Sequence, residues 1–282
     1  MKKFFTIFVL LCVCFAYTTA TASAQGLTKL EHKNDATVGV YGINTATGQT
    51  YSHNADTRFA YASTFKAITS GLLLQQSSPE ALNKTVTIKE SDIVAYSPVT
   101  EQYVGKTMTL RQLISAAMLQ SDNTASNIIM EQLGGLDQIS SRLQALGDTI
   151  TNPQRYEPEL NNYDPQSTAD TSTPRATAHS LQQLLTTDAV APQQRKFLQN
   201  LMFNNETGDS LIKKGVPDSY KVGDKSGQGT TYGTRNDVAL IYPKHQTKPI
   251  VLVVFTKHQQ QDAQPQDELV AQAARHAIHQ LD

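Results

Sequence analysis

The chain has 282 residues, 39% hydrophobic and 17% charged, with 24 Lys+Arg against 25 Asp+Glu. That balance excludes a disordered, collagenous or strongly nucleic-acid-binding protein, and a chain of this length buries a full core without metal or disulfide staples. Both cysteines, Cys12 and Cys14, lie in an apolar run over residues 4–17, preceded by Lys2 and Lys3 and followed by small residues ending in Ala22-Ser23-Ala24. A basic start, an apolar stretch too short to span a bilayer and a small-residue exit predict a secretory signal peptide over 1–24. Its removal would leave 258 residues without cysteine, which excludes a thiol nucleophile, a Cys-ligated zinc site and an Fe–S cluster. The remaining chain also loses Lys2 and Lys3, and its net charge of −3 argues against a nucleic-acid or other polyanionic partner.

In chain order, residues 37–43 read as a strand, 44–48 as a turn and 49–53 as the returning strand of a hairpin. From Thr64 to about Asn205 the periodicity becomes helical. Phe65, Ile68, Leu72 and Leu73 recur every three to four residues, as do Leu110, Leu113, Ile114, Ala117 and Met118. Further helices are expected over 124–133, 136–146, 178–186 and 192–204. Residues 152–177, with Pro153, Pro158, Pro165 and Pro174 and little apolar periodicity, read as one long loop of the kind that is usually functional.

Strands return at 237–242 and 250–255, joined by a turn over 243–249, and the unbroken apolar run of the second predicts a strand covered on both faces. A last helix over 266–281 supplies part of that cover. The expected class is therefore α/β, with an inserted helical part and a site in the cleft between the two units. The predicted division is 25–58 with 206–282 as the α/β unit, and 59–205 as the helical unit carrying the 152–177 loop.

Four short motifs carry chemistry. In Ser63-Thr64-Phe65-Lys66 a hydroxyl and an amine sit one helical turn apart, where the amine can take the proton that makes the serine a nucleophile; an N-cap serine beside an exposed lysine fits the same letters. Ser121-Asp122-Asn123 falls between two helices, as a cap or as a turn pointing polar groups into a cleft. Glu157 and Asn161 stand four residues apart in the long loop, spaced to hold one water between a general base and an amide. Lys225-Ser226-Gly227 suits recognition of a carboxylate, and as readily an ordinary turn. Arg155 and Asp170 flank the loop and are expected to close its neck by an ion pair, which is worth little unless partly buried.

Taken in this order and separated by helical segments, the four motifs closely resemble those of the class A serine β-lactamases. The likeness runs over the whole chain after residue 24 and includes Tyr96-Ser97-Pro98; residues 225–237 look most like the secreted penicillinases of staphylococci and related Gram-positive bacteria. The resemblance implies an antiparallel sheet flanked by helices, an acyl-enzyme on Ser63, and an oxyanion held by the backbone N–H groups of Ser63 and Gln228. It further implies proton relay through Lys66 and Ser121, and a deacylating water on Glu157 and Asn161, with either Lys66 or Glu157 as the base of the first step. For the substrate it implies Asn123 on the acylamido side chain, Lys225, Ser226 and Arg235 on the carboxylate, Gly227 and Gln228 along the cleft edge, Tyr96 as its wall, and a cis Glu157–Pro158 bond. Penicillin-type β-lactams are the expected substrates, with no cofactor and no metal; His276 and His279 are read as an exposed helix face, not as zinc ligands. The chain is expected to be exported, monomeric and free of the membrane after signal cleavage. A penicillin-binding DD-peptidase or a β-lactam-sensing receptor domain would share the serine motifs but is expected to lack Glu157 and Asn161, or to carry membrane segments.

Overall fold

The computed structural model describes residues 26–282, so the expected signal peptide lies outside the described residues. A helix α1 (residues 26–34) leads into the hairpin β1 (Ala36–Asn44) and β2 (Thr50–His53). Short strand β3 (Phe59–Ala60) precedes α2 (Phe65–Gln76), and the pair β4 (Thr85–Thr87) and β5 (Thr107–Thr109) precedes α3 (Leu110–Leu119), α4 (Asn123–Gln132) and α5 (Leu136–Ala145). Beyond the long loop come β6 (Thr171–Ser172), α6 (Pro174–Thr186), α7 (Pro192–Phe203) and the one-turn α8 (Ile212–Gly215). The chain closes with β7 (Lys221–Gln228), β8 (Arg235–Tyr242), β9 (Ile250–His258) and α9 (Asp267–Leu281).

The main sheet has the order β2-β1-β9-β8-β7, every pair antiparallel, so both ends of the chain build it and the helices from α2 to α7 are inserted between them. Residues 250–255 of β9 are all fully buried, as the apolar run predicts. Alternation of side chains sends Val251, Val253 and Phe255 into a core shared with α2, α6 and α7, and Ile250, Leu252 and Val254 into a second core with Leu27 and Leu30 of α1 and Leu269, Val270 and Ala273 of α9. Each such side chain contributes roughly 1.5–3 kcal/mol of burial, and the two cores clamp the central strands from both sides. At the first hairpin, Asn44 Oδ1 accepts from the N–H groups of Ala46 and Thr47, and Gly48 at φ +78° completes the turn.

Two expectations shift. Helix α6 begins at Pro174 and not at 178, because Thr173 Oγ1 accepts from the Ala176 N–H and Pro174 fills the first helical position, where its missing N–H costs nothing. Residues 221–228, of which only Lys225-Ser226-Gly227 drew a reading, as a carboxylate-binding edge or a turn, form the edge strand β7, paired with β8 from Lys221 opposite Tyr242 to Gln228 opposite Arg235. Its polar sequence hides it from any apolar pattern, since only one of its edges and part of its faces meet the cores. Among the described residues no helix is long and apolar enough to cross a membrane.

Candidate active site

A single 3-10 turn, Ala62–Thr64, carries Ser63 just ahead of α2, with Ala62 held at φ +47°. The turn lies against β7 because position 227 is glycine: a Cβ there would sit 3.0 Å from Thr64 N and 3.1 Å from Tyr61 O. The glycine thus serves the packing of strand on turn. One turn into the helix, Lys66 points back under Ser63, with 1% of its surface exposed. Its Nζ lies 2.7 Å from Ser63 Oγ, 2.7 Å from Asn123 Oδ1, 3.0 Å from the Ser121 carbonyl and 3.3 Å from Ser121 Oγ. It also forms an ion pair with Glu157 Oε1 at 2.7 Å. Burial pulls the Lys66 pKa below its ordinary value, against the attraction of Glu157.

Ser121 is brought in by the α3–α4 turn, at φ +58°. Asp122 within the same motif is structural: its carboxylate accepts from Ala125 N, Val99 N, Thr100 N and Thr100 Oγ1, capping α4 and anchoring the neighbouring loop. Asn123 donates through Nδ2 to the Ala95 carbonyl at 2.8 Å and its N–H to the Tyr96 carbonyl at 3.0 Å, which sets Tyr96, 62% exposed, at the cleft mouth.

In the long loop the Glu157–Pro158 peptide is cis, as the resemblance implies. Asn161 Nδ2 donates to Glu157 Oε2, while Glu157 Oε1 has Lys66 Nζ as its one partner and Asn161 Oδ1 is a buried acceptor with none in the protein. The loop neck is closed as expected. Asp170, 1% exposed, pairs with Arg155 Nε at 2.5 Å and also accepts from Gln154 N, Arg155 N and Tyr61 OH. Asn127 was not singled out from the sequence, yet its side chain accepts from Glu157 N and donates to Glu157 O, both at 2.8 Å. A mid-helix asparagine facing a loop leaves no local signal.

From β7, the Lys225 ammonium donates to Ser121 Oγ at 3.1 Å and to the Ser226 carbonyl at 2.9 Å. Full burial, and then repulsion from Lys66, bring its pKa down to about 7. Arg235 Nε donates to Asp267 Oδ1 at 2.6 Å, which holds the guanidinium at the cleft edge. Ser63, Tyr96, Ser121, Asn123, Asn161, Ser226, Gly227, Gln228 and Arg235 all line one cavity of about 490 Å³, to which Thr207, unforeseen, also contributes. The other three expected residues, Lys66, Glu157 and Lys225, lie beneath its floor. A larger cavity of about 770 Å³, bordered by α6, α7 and the β8–β9 turn, holds none of them. His276 and His279 are exposed on α9, and no group of three or more His, Cys, Asp or Glu is placed to hold a metal ion among the described residues.

A cleft-lining serine paired with a buried lysine, a second serine, a carboxylate–amide pair and a cationic strand edge around one cleft define a serine acyl-transfer hydrolase. The comparisons make this specific. The β-lactamase enzyme family matches residues 22–281. The chain is 43% identical over 255 residues to a β-lactamase of Bacillus licheniformis, covering 90% of this chain and 82% of that one. It is 42% identical over 263 residues to the ROB-1 β-lactamase of Haemophilus influenzae, covering 93% and 86%. Among solved structures, a class A β-lactamase of Clostridium kluyveri superposes with a TM-score of 0.88 at 39% identity, covering 91% and 97%. A halotolerant bacterial β-lactamase does so with 0.88 at 43%, covering 90% and 98%. The chain belongs to the β-lactamase enzyme family, within class A: it is a serine hydrolase of the β-lactam amide, the activity that gives resistance to these antibiotics.

Proposed function

We propose that the chain is an exported, monomeric penicillinase, cleaved after Ala24, in which an α/β unit (25–58 and 206–282) and a helical unit (59–205) close the cleft between them. Ser63 Oγ attacks the lactam carbonyl, its proton passing to Lys66 as the O–C bond forms, and the C–N bond breaks when the nitrogen is protonated. The observation that carries this reading is the set of contacts around Lys66 Nζ, 2.7 Å from both Ser63 Oγ and the Glu157 carboxylate. An ammonium spends its three N–H bonds on Asn123 Oδ1, the Ser121 carbonyl and Glu157. Passing one proton to Glu157 leaves an amine lone pair facing Ser63, and the desolvation that lowers the Lys66 pKa favours this transfer. These contacts support Lys66 as the immediate base, with Glu157 as its proton store.

Ser121 Oγ, within reach of both lysines, returns the proton to the departing nitrogen. The oxyanion rests on the N–H groups of Ser63 and Gln228, where loss of one such donor costs on the order of 3 kcal/mol. Lys225, Ser226 and Arg235 take the substrate carboxylate, Asn123 the acylamido group, and Tyr96 walls the cleft. For hydrolysis of the ester, a water donating to the Glu157 carboxylate and to Asn161 Oδ1 satisfies the one acceptor of the pair that the protein leaves without a partner. Glu157, its stored proton first returned to Lys66, takes the water proton as the new C–O bond forms; the ester C–O bond then breaks as Lys66 gives a proton back to Ser63 Oγ. Purified protein lacking residues 1–24 should open benzylpenicillin with many turnovers in the presence of EDTA, and Ser63→Gly should not; a stable stoichiometric adduct on the unaltered protein, or inhibition by EDTA, would overturn the proposal.

A further inference from the structure

Behind the carboxylate-binding edge runs a chain of hydrogen bonds whose directions can be fixed one by one. Asp224 and Asp237 are buried neighbours on the paired strands β7 and β8, 2% and 0% exposed. They sit diagonally across the register, Asp224 opposite Ala239 and Asp237 opposite Ser226, and burial together with their mutual repulsion disfavours ionising both. Burial and the charge of Asp224 push Asp237 well above the carboxylate range, whereas Asp224 rises, through burial, only to about 6. Asp237 is therefore the acid of the pair, and a proton on its Oδ1 gives that buried, otherwise partnerless atom a role. Asp224, ionised, can only accept.

That fixes Asn205. Its Nδ2 faces Asp224 Oδ2 at 2.7 Å, so its Oδ1 faces Thr207. An amide oxygen accepts only, and Thr207 gives it both the N–H, at 3.3 Å, and the hydroxyl proton, at 2.9 Å. Thr207 has then no proton left for Ser226, whose Oγ lies 2.7 Å from Thr207 Oγ1. Ser226 must then donate to Thr207 and show its lone pairs to the substrate side, the wrong polarity for a carboxylate.

We infer that Thr207 is a positioning residue for substrate binding, and that arrival of a carboxylate reverses the Ser226–Thr207 hydroxyl pair. Ser226 turns its proton to the carboxylate, Thr207 turns its own to Ser226, and Asn205 Oδ1 keeps the Thr207 N–H. One bond is exchanged for another at each link, and the bond to the carboxylate is backed by a donor that strengthens it. The inference rests on the proposed role of Ser226.

The test is a double-mutant cycle on kcat/KM for benzylpenicillin. Thr207→Val should lower kcat/KM about tenfold, the worth of one lost hydrogen bond of this kind, and Thr207→Ser should stay within about twofold of the unaltered enzyme. In a Ser226→Ala background Thr207→Val should have no further effect, because its action runs through the missing hydroxyl. A loss of the same size in both backgrounds, or no loss in either, overturns the inference. If Ser226→Ala alone leaves kcat/KM unchanged, the carboxylate role of Ser226 falls, and the inference with it.

Discussion

Asp170 offers the most quantitative test of how the loop holds its catalytic carboxylate. The side chain is 1% exposed and accepts from four donors: Oδ1 from Gln154 N (2.9 Å), Arg155 N (3.0 Å) and Tyr61 OH (3.0 Å), and Oδ2 from Arg155 Nε (2.5 Å). Truncation to alanine strands the first three in a poorly solvated neck, at roughly 1–3 kcal/mol each before water repairs part of the loss. The Arg155 pair adds little, because that guanidinium is about one-third exposed and solvent screens it. Asp170 sits at φ +55°, which alanine tolerates poorly, so about 1 kcal/mol more is lost. A total of about 3–6 kcal/mol, at roughly 2–4 °C per kcal/mol, lowers Tm by on the order of 10 °C. Asp170→Asn keeps one acceptor oxygen and a residue at ease with positive φ, and should lose less than half as much. The neck carries Glu157 and Asn161, so deacylation should slow more than acylation, giving a pre-steady-state burst with benzylpenicillin. Differential scanning calorimetry and stopped-flow absorbance read the two effects. A fall in Tm below about 3 °C for Asp170→Ala, or an equal fall for asparagine, would refute the reasoning.

Gly227→Ala places a Cβ 3.0 Å from Thr64 N and should cost about 1–3 kcal/mol, pushing β7 off the Ser63 turn; urea unfolding and kcat/KM should fall together. Asn127→Ala removes both bonds that hold the Glu157 backbone, and should slow deacylation at least tenfold in single-turnover experiments while acylation stays within about threefold. Lys225, with its pKa brought down to about 7, is charged below that value and neutral above it, so kcat/KM for a carboxylate-bearing substrate should fall as pH rises through about 7. Lys225→Arg, which stays charged, should remove that limb of the profile.

Where apolar residues run unbroken or recur at helical spacing, the fold was legible: residues 250–255 demanded a strand buried on both faces, and Leu110, Leu113, Ile114 and Ala117 demanded a helix with one apolar side. Strand β7 was illegible for the opposite reason. Its residues from Lys221 to Gln228 are mostly polar or glycine, and what makes them a strand is the partner β8, not their own pattern. Pro174 misled because proline marks a loop interior and a helix start alike, and only the Thr173 cap tells them apart. The short motifs placed the residues of the cleft, since each sits on one turn or strand edge and keeps its spacing on folding. Asn127 and Thr207 escaped because they act across 30 and 19 residues of chain, on Glu157 and Ser226, and nothing local marks a side chain whose partner is so distant.

The central claim is an ester on Ser63 that only the Glu157 water clears. Its most direct test is intact-protein and peptide-mapping mass spectrometry of Glu157→Ala mixed with benzylpenicillin and quenched over seconds to hours. The account predicts one penicilloyl group per chain, located on Ser63 and persisting long after the unaltered enzyme has returned to its free mass. An adduct on another residue, or one that clears as fast as in the unaltered enzyme, would contradict it.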